Sequence, residues 1–279
     1  MLSISSYLPL NDGQRIPLLG FGVFLMKGDE TAQAVSCALK CGYRHIDTAA
    51  IYGNEAEVAA GIKDSGVPRD EIFITSKLWN DDTKSGEVRR ALETSLKKLD
   101  TDYLNLYLVH WPVPGFAKAY AEMARLHQEG LIKSIGVSNF PTEFVDELKK
   151  ECEVIPAVNQ VECHPHLNQR VLLDDMRRRG IALEAYSPLG GEKSNGALRN
   201  HPKLIEIAKK HGKSPVQVLI RWQLQRSVIV LPKASKPEHI KSNAEIFNFV
   251  LDDTDLLNIG SLNQDLRYNG SPTKFMTVV

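Results

Sequence analysis

Along the chain, short apolar runs alternate with longer stretches whose apolar positions recur every three to four residues. The short runs lie at 18–23, 44–48, 72–77, 104–109, 132–137, 157–161, 181–186 and 228–231, and read as strands. The run at 104–109 is almost wholly apolar, as a strand buried on both faces should be. The longer stretches lie at 30–40, 54–64, 85–99, 117–128, 142–150, 168–178, 202–211 and 214–225, and read as helices. Gly42 and Gly130 close two of them, and Pro141 opens another. Strand followed by helix, repeated without an interrupting linker, predicts α/β architecture with a parallel sheet. The count of eight strands favours a closed (β/α)8 TIM barrel, a single domain over 1–279. Ahead of the barrel, residues 3–10 followed by Asn11, Asp12 and Gly13 predict a β-hairpin, placed as a cap on the barrel bottom. One more helix is expected after about Asp255, then a loop.

Composition narrows the partners more than the fold. Hydrophobic residues make up 43% and charged residues 24%, a globular balance that argues against disorder. Lys and Arg equal Asp and Glu, so nothing favours nucleic acid or an anionic membrane surface. The four scattered cysteines, Cys37, Cys41, Cys152 and Cys163, fit free thiols in a reducing compartment. Cys37 and Cys41 share a helix face and read as packing residues. The N-terminus has no basic region ahead of an apolar run, and no stretch reaches the roughly 18 apolar residues of a membrane span. A cytoplasmic protein is expected.

In a barrel of this kind the active site lies at the C-terminal ends of the strands. Reactive side chains fall there in sector after sector. Strand two ends in Asp47, with Tyr52 in the loop beyond; strand three ends in Lys77, and Trp79 follows; strand four leads to His110 and Trp111. Strand five ends in Ser138 and Asn139, strand six carries Asn159 and Gln160, strand seven ends in Tyr186 and Ser187, and strand eight leads to Lys233. Each alone has a plain structural explanation, such as a paired lysine or a satisfied histidine. Their convergence on one mouth does not. Asp47 would hold Lys77 charged, Lys77 would lower the pKa of the Tyr52 phenol, and Tyr52 would then give a proton to a developing alkoxide. His110 would orient the carbonyl oxygen.

Two other patterns carry less. Gly20, Phe21 and Gly22 begin like a dinucleotide fingerprint, but Leu25 stands where its third glycine belongs, so a Rossmann unit is rejected. Glu162, Cys163, His164 and His166 have the residue types of metal ligands. Strand alternation turns Cys163 away from Glu162 and His164, so structural use is expected and no metal.

Three ordered segments resemble the signatures of the aldo-keto reductase family. Residues 42–49 leading to Tyr52, Gly53, Asn54 and Glu55 resemble the first; residues 133–140 resemble the second; Leu231, Pro232 and Lys233 through Asn243 resemble the third. The resemblance covers nearly the whole chain. It implies an NADPH-dependent reductase of aldehydes and ketones with Asp47, Tyr52, Lys77 and His110 as catalytic tetrad. It implies Ser138, Asn139 and Gln160 on the carboxamide, Tyr186 stacked on the nicotinamide ring, Ser187 and Leu189 by the pyrophosphate, and Gly22 and Val23 at the cofactor from strand one. Lys233, Ser235, His239 and Asn243 would grip the 2′-phosphate. Where the family usually has Ser or Thr and then Arg, this chain has Ala234 and His239, which implies a weakened preference for NADPH over NADH. Phe24, Trp79 and Trp111 would line an apolar substrate pocket. The short loop over 112–117 and the modest tail over 267–279 imply an open site like that of the small microbial and protist members, working as a monomer. A Schiff-base enzyme using Lys77 and a non-catalytic cofactor-binding protein on the same barrel are the competing readings.

Overall fold

The computed structural model describes residues 2–275; the last four residues of the tail over 267–279 lie outside them. The chain opens with an antiparallel hairpin, β1 (Tyr7–Pro9) and β2 (Arg15–Pro17), with Leu8 opposite Ile16. Gly13 turns it at a φ of 86°, a conformation that side chains resist. Ile16 is fully buried, and Asn11 Nδ2 donates to the Pro156 carbonyl just ahead of the sixth barrel strand at 2.9 Å. The hairpin thus covers the end of the barrel where strands begin, as predicted.

Eight parallel strands follow in sequential order: β3 (Phe21–Gly22), β4 (His45–Asp47), β5 (Phe73–Leu78), β6 (Leu104–Val109), β7 (Ile132–Ser138), β8 (Val158–Glu162), β9 (Ala182–Tyr186) and β10 (Ile229–Val230). The sheet closes on itself. The Gly20 N–H donates to Val230 O at 2.9 Å, the Val230 N–H to Leu18 O at 3.0 Å, and the Gly22 N–H to Pro232 O at 3.2 Å. First strand and eighth are therefore hydrogen-bonded, and the fold is the (β/α)8 barrel the alternation predicts. Leu104, Leu106 and Leu108 on β6 have no exposure at all, and full burial of such side chains stabilises by about 1.5–3 kcal/mol each.

The helices pack outside: α1 (Asp29–Lys40), α2 (Glu55–Ser65), α3 (Asn80–Ser85), α4 (Val88–Lys98), α5 (Phe116–Gln128), α6 (Thr142–Leu148), α7 (Arg170–Arg178), α8 (Pro202–His211), α9 (Pro215–Gln225), α10 (Pro237–Ala244) and α11 (Asp253–Gly260). On α4 the stripe Val88, Ala91, Leu92 and Leu96 is buried, while Arg89, Arg90, Lys97 and Lys98 face out. Boundaries differ from the sequence expectation in physical detail. Gly86, at a φ of 76°, ends α3 and separates it from α4, so the stretch at 85–99 begins helical structure later than expected. Asn168 Oδ1 accepts from the Arg170 N–H at 3.0 Å, delaying α7 by two residues. Pro237 opens α10 at its first turn, a helix the apolar spacing did not announce. A capping box between Asp252 and Asp255 starts α11 ahead of Asp255. All four cysteines are free, with Cys37 and Cys41 packed against the core. Among the described residues no helix is long and apolar enough to cross a membrane.

Candidate active site

Successive side chains of a strand face opposite ways, so β4 turns both His45 and Asp47 to one face, and β5 turns Thr75 and Lys77. Lys77 is fully buried. Its Nζ donates to Asp47 Oδ1 at 2.7 Å, Oδ2 at 2.9 Å and the Thr48 carbonyl at 2.8 Å. Removing either charge would strand the other in the interior, a cost of about 3–5 kcal/mol. The Tyr52 hydroxyl stands 3.5 Å from the same Nζ. Tyr52 arrives through a single helical turn, Ala50–Tyr52, released by Gly53 at a φ of 68°. Asn54 then fastens this loop: it accepts from Thr48 Oγ1 at 2.8 Å and donates to the Val23 and Met26 carbonyls at 2.9 and 3.1 Å.

His110 follows β6 directly, its N–H donating to Leu78 O at 3.2 Å. Its ring lies 5.9 Å from that of Tyr52 and 5.2 Å from that of Trp79, and is near-parallel to Trp111 at 6.4 Å. Burial, with Lys77 adding to it, holds the imidazole well below its ordinary pKa and therefore neutral. Its Nδ1 is buried without a hydrogen-bond partner among the described residues. The Phe24 ring sits 4.9 Å from Tyr52, and Phe24, Leu25 and Ile51 form an exposed apolar rim. Asp47, Tyr52, Lys77, His110, Phe24, Trp79 and Trp111 thus come from separated stretches of sequence to one mouth.

One expectation is corrected here. The phenol was expected to be made acidic by Lys77. Burial outweighs the lowering by Lys77, Asp47 opposes Lys77 further, and the Tyr52 pKa is raised. Tyr52 therefore keeps its proton at neutral pH. Lys77 itself behaves as expected: burial pushes it down, but Asp47 and Tyr52 together outweigh burial and its pKa is raised. A lysine held this firmly as ammonium is a poor Schiff-base nucleophile.

A second group adjoins the first. Ser138 Oγ donates to Gln160 O at 2.9 Å, Asn139 Nδ2 donates to Ser138 Oγ at 3.1 Å, and the Tyr186 hydroxyl donates to Asn139 Oδ1 at 2.7 Å. Gln160 Nε2 donates to Asp47 Oδ2 at 2.8 Å and to Glu184 Oε2 at 2.7 Å. Ser187 lies just beyond β9 at a φ of 48°, and its Oγ accepts from Asn269 Nδ2 at 3.4 Å. Leu189 packs against the smaller apolar cluster around α8 and α9. Val23 is fully buried with both backbone polar groups engaged, and Gly22 runs along Leu231 and Pro232. Lys233, Ser235 and His239 are exposed after β10, and Asn243 is buried on α10.

The histidine-rich segment after β8 has another use. Glu162 Oε1 is 3.0 Å from His164 Nε2 and accepts from the Tyr268 N–H at 2.7 Å, while His166 Nδ1 is 2.7 Å from the Tyr268 hydroxyl. Cys163 turns the other way, toward Gln223 and Asn168. The segment ties down the C-terminal chain, which is the structural role expected.

Sequence reasoning missed Glu184, fully buried on β9 against Gln160. The available signal was an acidic residue in the middle of the otherwise apolar run 181–185.

The family model described as Aldo/keto reductase family matches residues 19–264. An aldo-keto reductase of Mycolicibacterium smegmatis is 46% identical, covering 98% of each chain. The glyoxal reductase of Bacillus subtilis is 44% identical, covering 98% of this chain and 99% of its own. A crystal structure of an aldo/keto reductase from Brucella melitensis superposes with a TM-score of 0.87 at 47% identity, over 92% of this chain and 99% of that one. A buried carboxylate–ammonium pair, a tyrosine beside it and a neutral histidine, gathered at the mouth of such a barrel and spanned by these matches, assign this chain to the aldo/keto reductase family.

Proposed function

We propose that the protein is a cytoplasmic, NADPH-dependent reductase of aldehydes and ketones in which Tyr52 is the proton donor. The single observation that carries this reading is the Tyr52 hydroxyl 3.5 Å from a fully buried ammonium that Asp47 holds in place. The mouth also fits a nicotinamide by the chemistry of its donor set. Gln160 spends its amide nitrogen on two carboxyl groups, so its oxygen is left as an acceptor. Ser138 and Asn139 add polar groups beside it, and half-buried Tyr186 offers a ring face. Lys233, Ser235, Lys236 and His239, exposed at the end of β10, suit a phosphate.

A bound reduced nicotinamide supplies the hydride. The protein's own groups do the rest. His110 is neutral and meets a carbonyl oxygen without bringing a charge that Lys77 would repel. Tyr52 remains protonated until negative charge develops on that oxygen, and then gives up its proton. Lys77 stabilises the phenolate that remains, and Asp47 keeps Lys77 from turning away. The aromatic and aliphatic rim, Phe24, Trp79, Trp111, Leu25 and Ile51, receives the carbon side of a substrate and limits water. Asp47, Tyr52, Lys77 and His110 gather at one barrel mouth, so the proposed chemistry needs no second chain. The B. subtilis relative's name supports including small dicarbonyls among the substrates.

The test is loss of NADPH absorbance with a panel of aldehydes and ketones, glyoxal included. Carbonyl-dependent oxidation is expected. Tight NADPH binding with no turnover on any carbonyl would favour a non-catalytic protein instead, and borohydride trapping of a carbonyl on Lys77 would favour a Schiff-base enzyme.

A further inference from the structure

Glu184 stands mid-strand on β9, with no exposure, between the fully packed Leu183 and Ala185. Its Oε2 accepts from Gln160 Nε2, and the same nitrogen donates to Asp47 Oδ2. A primary amide has two N–H groups and one carbonyl oxygen. Both N–H groups are therefore committed, and among the described residues the oxygen accepts nothing. Around the rest of the carboxyl, Oε1 has no hydrogen bond among the described residues, His45 Nε2 lies 3.7 Å away, and that imidazole is itself 3.0 Å from Thr75 Oγ1. The nearby Lys77 donates to Asp47 rather than to Glu184.

Packing does not explain such a residue. A carboxyl with no exposure costs free energy that an aliphatic side chain would not, and among the described residues its one hydrogen bond goes to a side chain at the mouth. We infer that Glu184 is a positioning residue of the active site: together with Asp47 it clamps the Gln160 side-chain amide by its nitrogen, so that the oxygen is the end left to accept from the N–H of a bound carboxamide. This rests on the reading of the protein as a nicotinamide-dependent reductase. Burial, with Asp47 adding to it, holds the Glu184 carboxyl up at about 8. It is thus mostly the protonated acid at neutral pH, while Asp47 is the carboxylate that accepts from Lys77. Without Glu184, Asp47 alone would hold one N–H, and the amide would be free to turn its nitrogen to the ligand.

The test uses the full-length protein and two readouts: NADPH Kd, followed by quenching of Trp79 and Trp111 fluorescence, and kcat with a good carbonyl substrate. Glu184→Ala is expected to raise Kd about tenfold, the scale of one misplaced hydrogen bond. Glu184→Gln keeps an acceptor oxygen for the Gln160 amide and is expected to stay within about threefold of wild type. Adding Glu184→Ala to Gln160→Ala is expected to cost less than about threefold beyond Gln160→Ala alone, because both losses run through one amide. If Glu184→Ala fails to fold, Glu184→Met, which fills the space without an oxygen, takes its place. Wild-type affinity in the Ala or Met variant, no rescue by Gln, or additive losses would each overturn the inference. A wild type that neither binds nor oxidises NADPH would overturn the functional reading itself, and the inference with it; a wild type that does both while Glu184→Ala matches it would overturn the inference alone.

Discussion

Burial drives His45 and Glu184 in opposite senses. It pushes the His45 imidazole down to about 3 from 6.5, and the Glu184 carboxyl up to about 8 from 4.5. The folded state then binds fewer protons than the unfolded at His45 between about pH 3 and 6.5, so that contribution is present above 6.5 and lost as pH falls through 3. At Glu184 it binds more protons between about 4.5 and 8, so that contribution is full below 4.5 and lost as pH rises through 8. Where the windows overlap they cancel. Glu184→Gln removes the alkaline half only. Its urea stability minus that of the wild type should rise by roughly 3–4 kcal/mol between pH 5 and pH 8; a difference that stays flat would mean the carboxyl is not held protonated. The exposed His239 is the imidazole we propose beside the cofactor's phosphate, where a guanidinium fork would grip more tightly. The kcat/KM ratio of NADPH over NADH should stay below about a thousandfold, roughly 4 kcal/mol. His239→Arg should raise it about tenfold, and an unchanged ratio would remove His239 from the phosphate region. Asp47, Tyr52, Lys77 and His110 were legible because a strand end fixes where a side chain emerges. The sign of the Tyr52 shift was not, because desolvation depends on everything packed around the ring. Glu184 was overlooked because nothing in its own strand reveals that a glutamine from the neighbouring strand needs an acceptor.

Helices and loops carry the site less visibly. α1 and α2 approach closely at Gly61: a Cβ there would lie 2.5 Å from the Ala32 carbonyl oxygen and 2.8 Å from Val35 Cβ. Backbone on the far side does not yield. Gly61→Ala gains about 1 kcal/mol of helix propensity and loses about 1–3 kcal/mol to overpacking, with the loss expected to win. Gly260, in α11, has open space where its Cβ would go, so Gly260→Ala should leave stability unchanged or raise it by a few tenths to about 1 kcal/mol. Thermal melts of the two variants should move in opposite directions, and a stabilised Gly61→Ala would contradict the contact. Periodicity located the helices well wherever an apolar stripe packs on the sheet, as on α4. It missed α10, whose start depends on Pro237 and whose short length leaves little room for a repeat, and it misplaced the starts of α4, α7 and α11, where a left-handed glycine or a side-chain cap decides.

For the molecule as a whole, the closure of the sheet sets everything else. The first and eighth strands share hydrogen bonds at Gly20, where a Cβ would strike Leu231 and His45 at 2.5 and 2.7 Å, and closure brings β8 and β9 opposite β4, so that Gln160 reaches Asp47 across 113 residues of sequence. The count of strands made the barrel legible. The polar layer inside it was only half legible, because contacts across the barrel follow from closure and not from any local pattern. Pairing of β4 with β5 and of β5 with β6 places a phenol, an ammonium and a neutral imidazole around the same mouth, and that phenol is the proposed proton donor. The most direct measurement is Tyr52→Phe, comparing kcat for carbonyl reduction with Kd for NADPH at neutral pH. With Tyr52 as proton donor, kcat should fall by about 10²–10⁴ with Kd within about threefold of wild type. A variant that kept more than about a third of wild-type turnover, against that predicted fall, would contradict it.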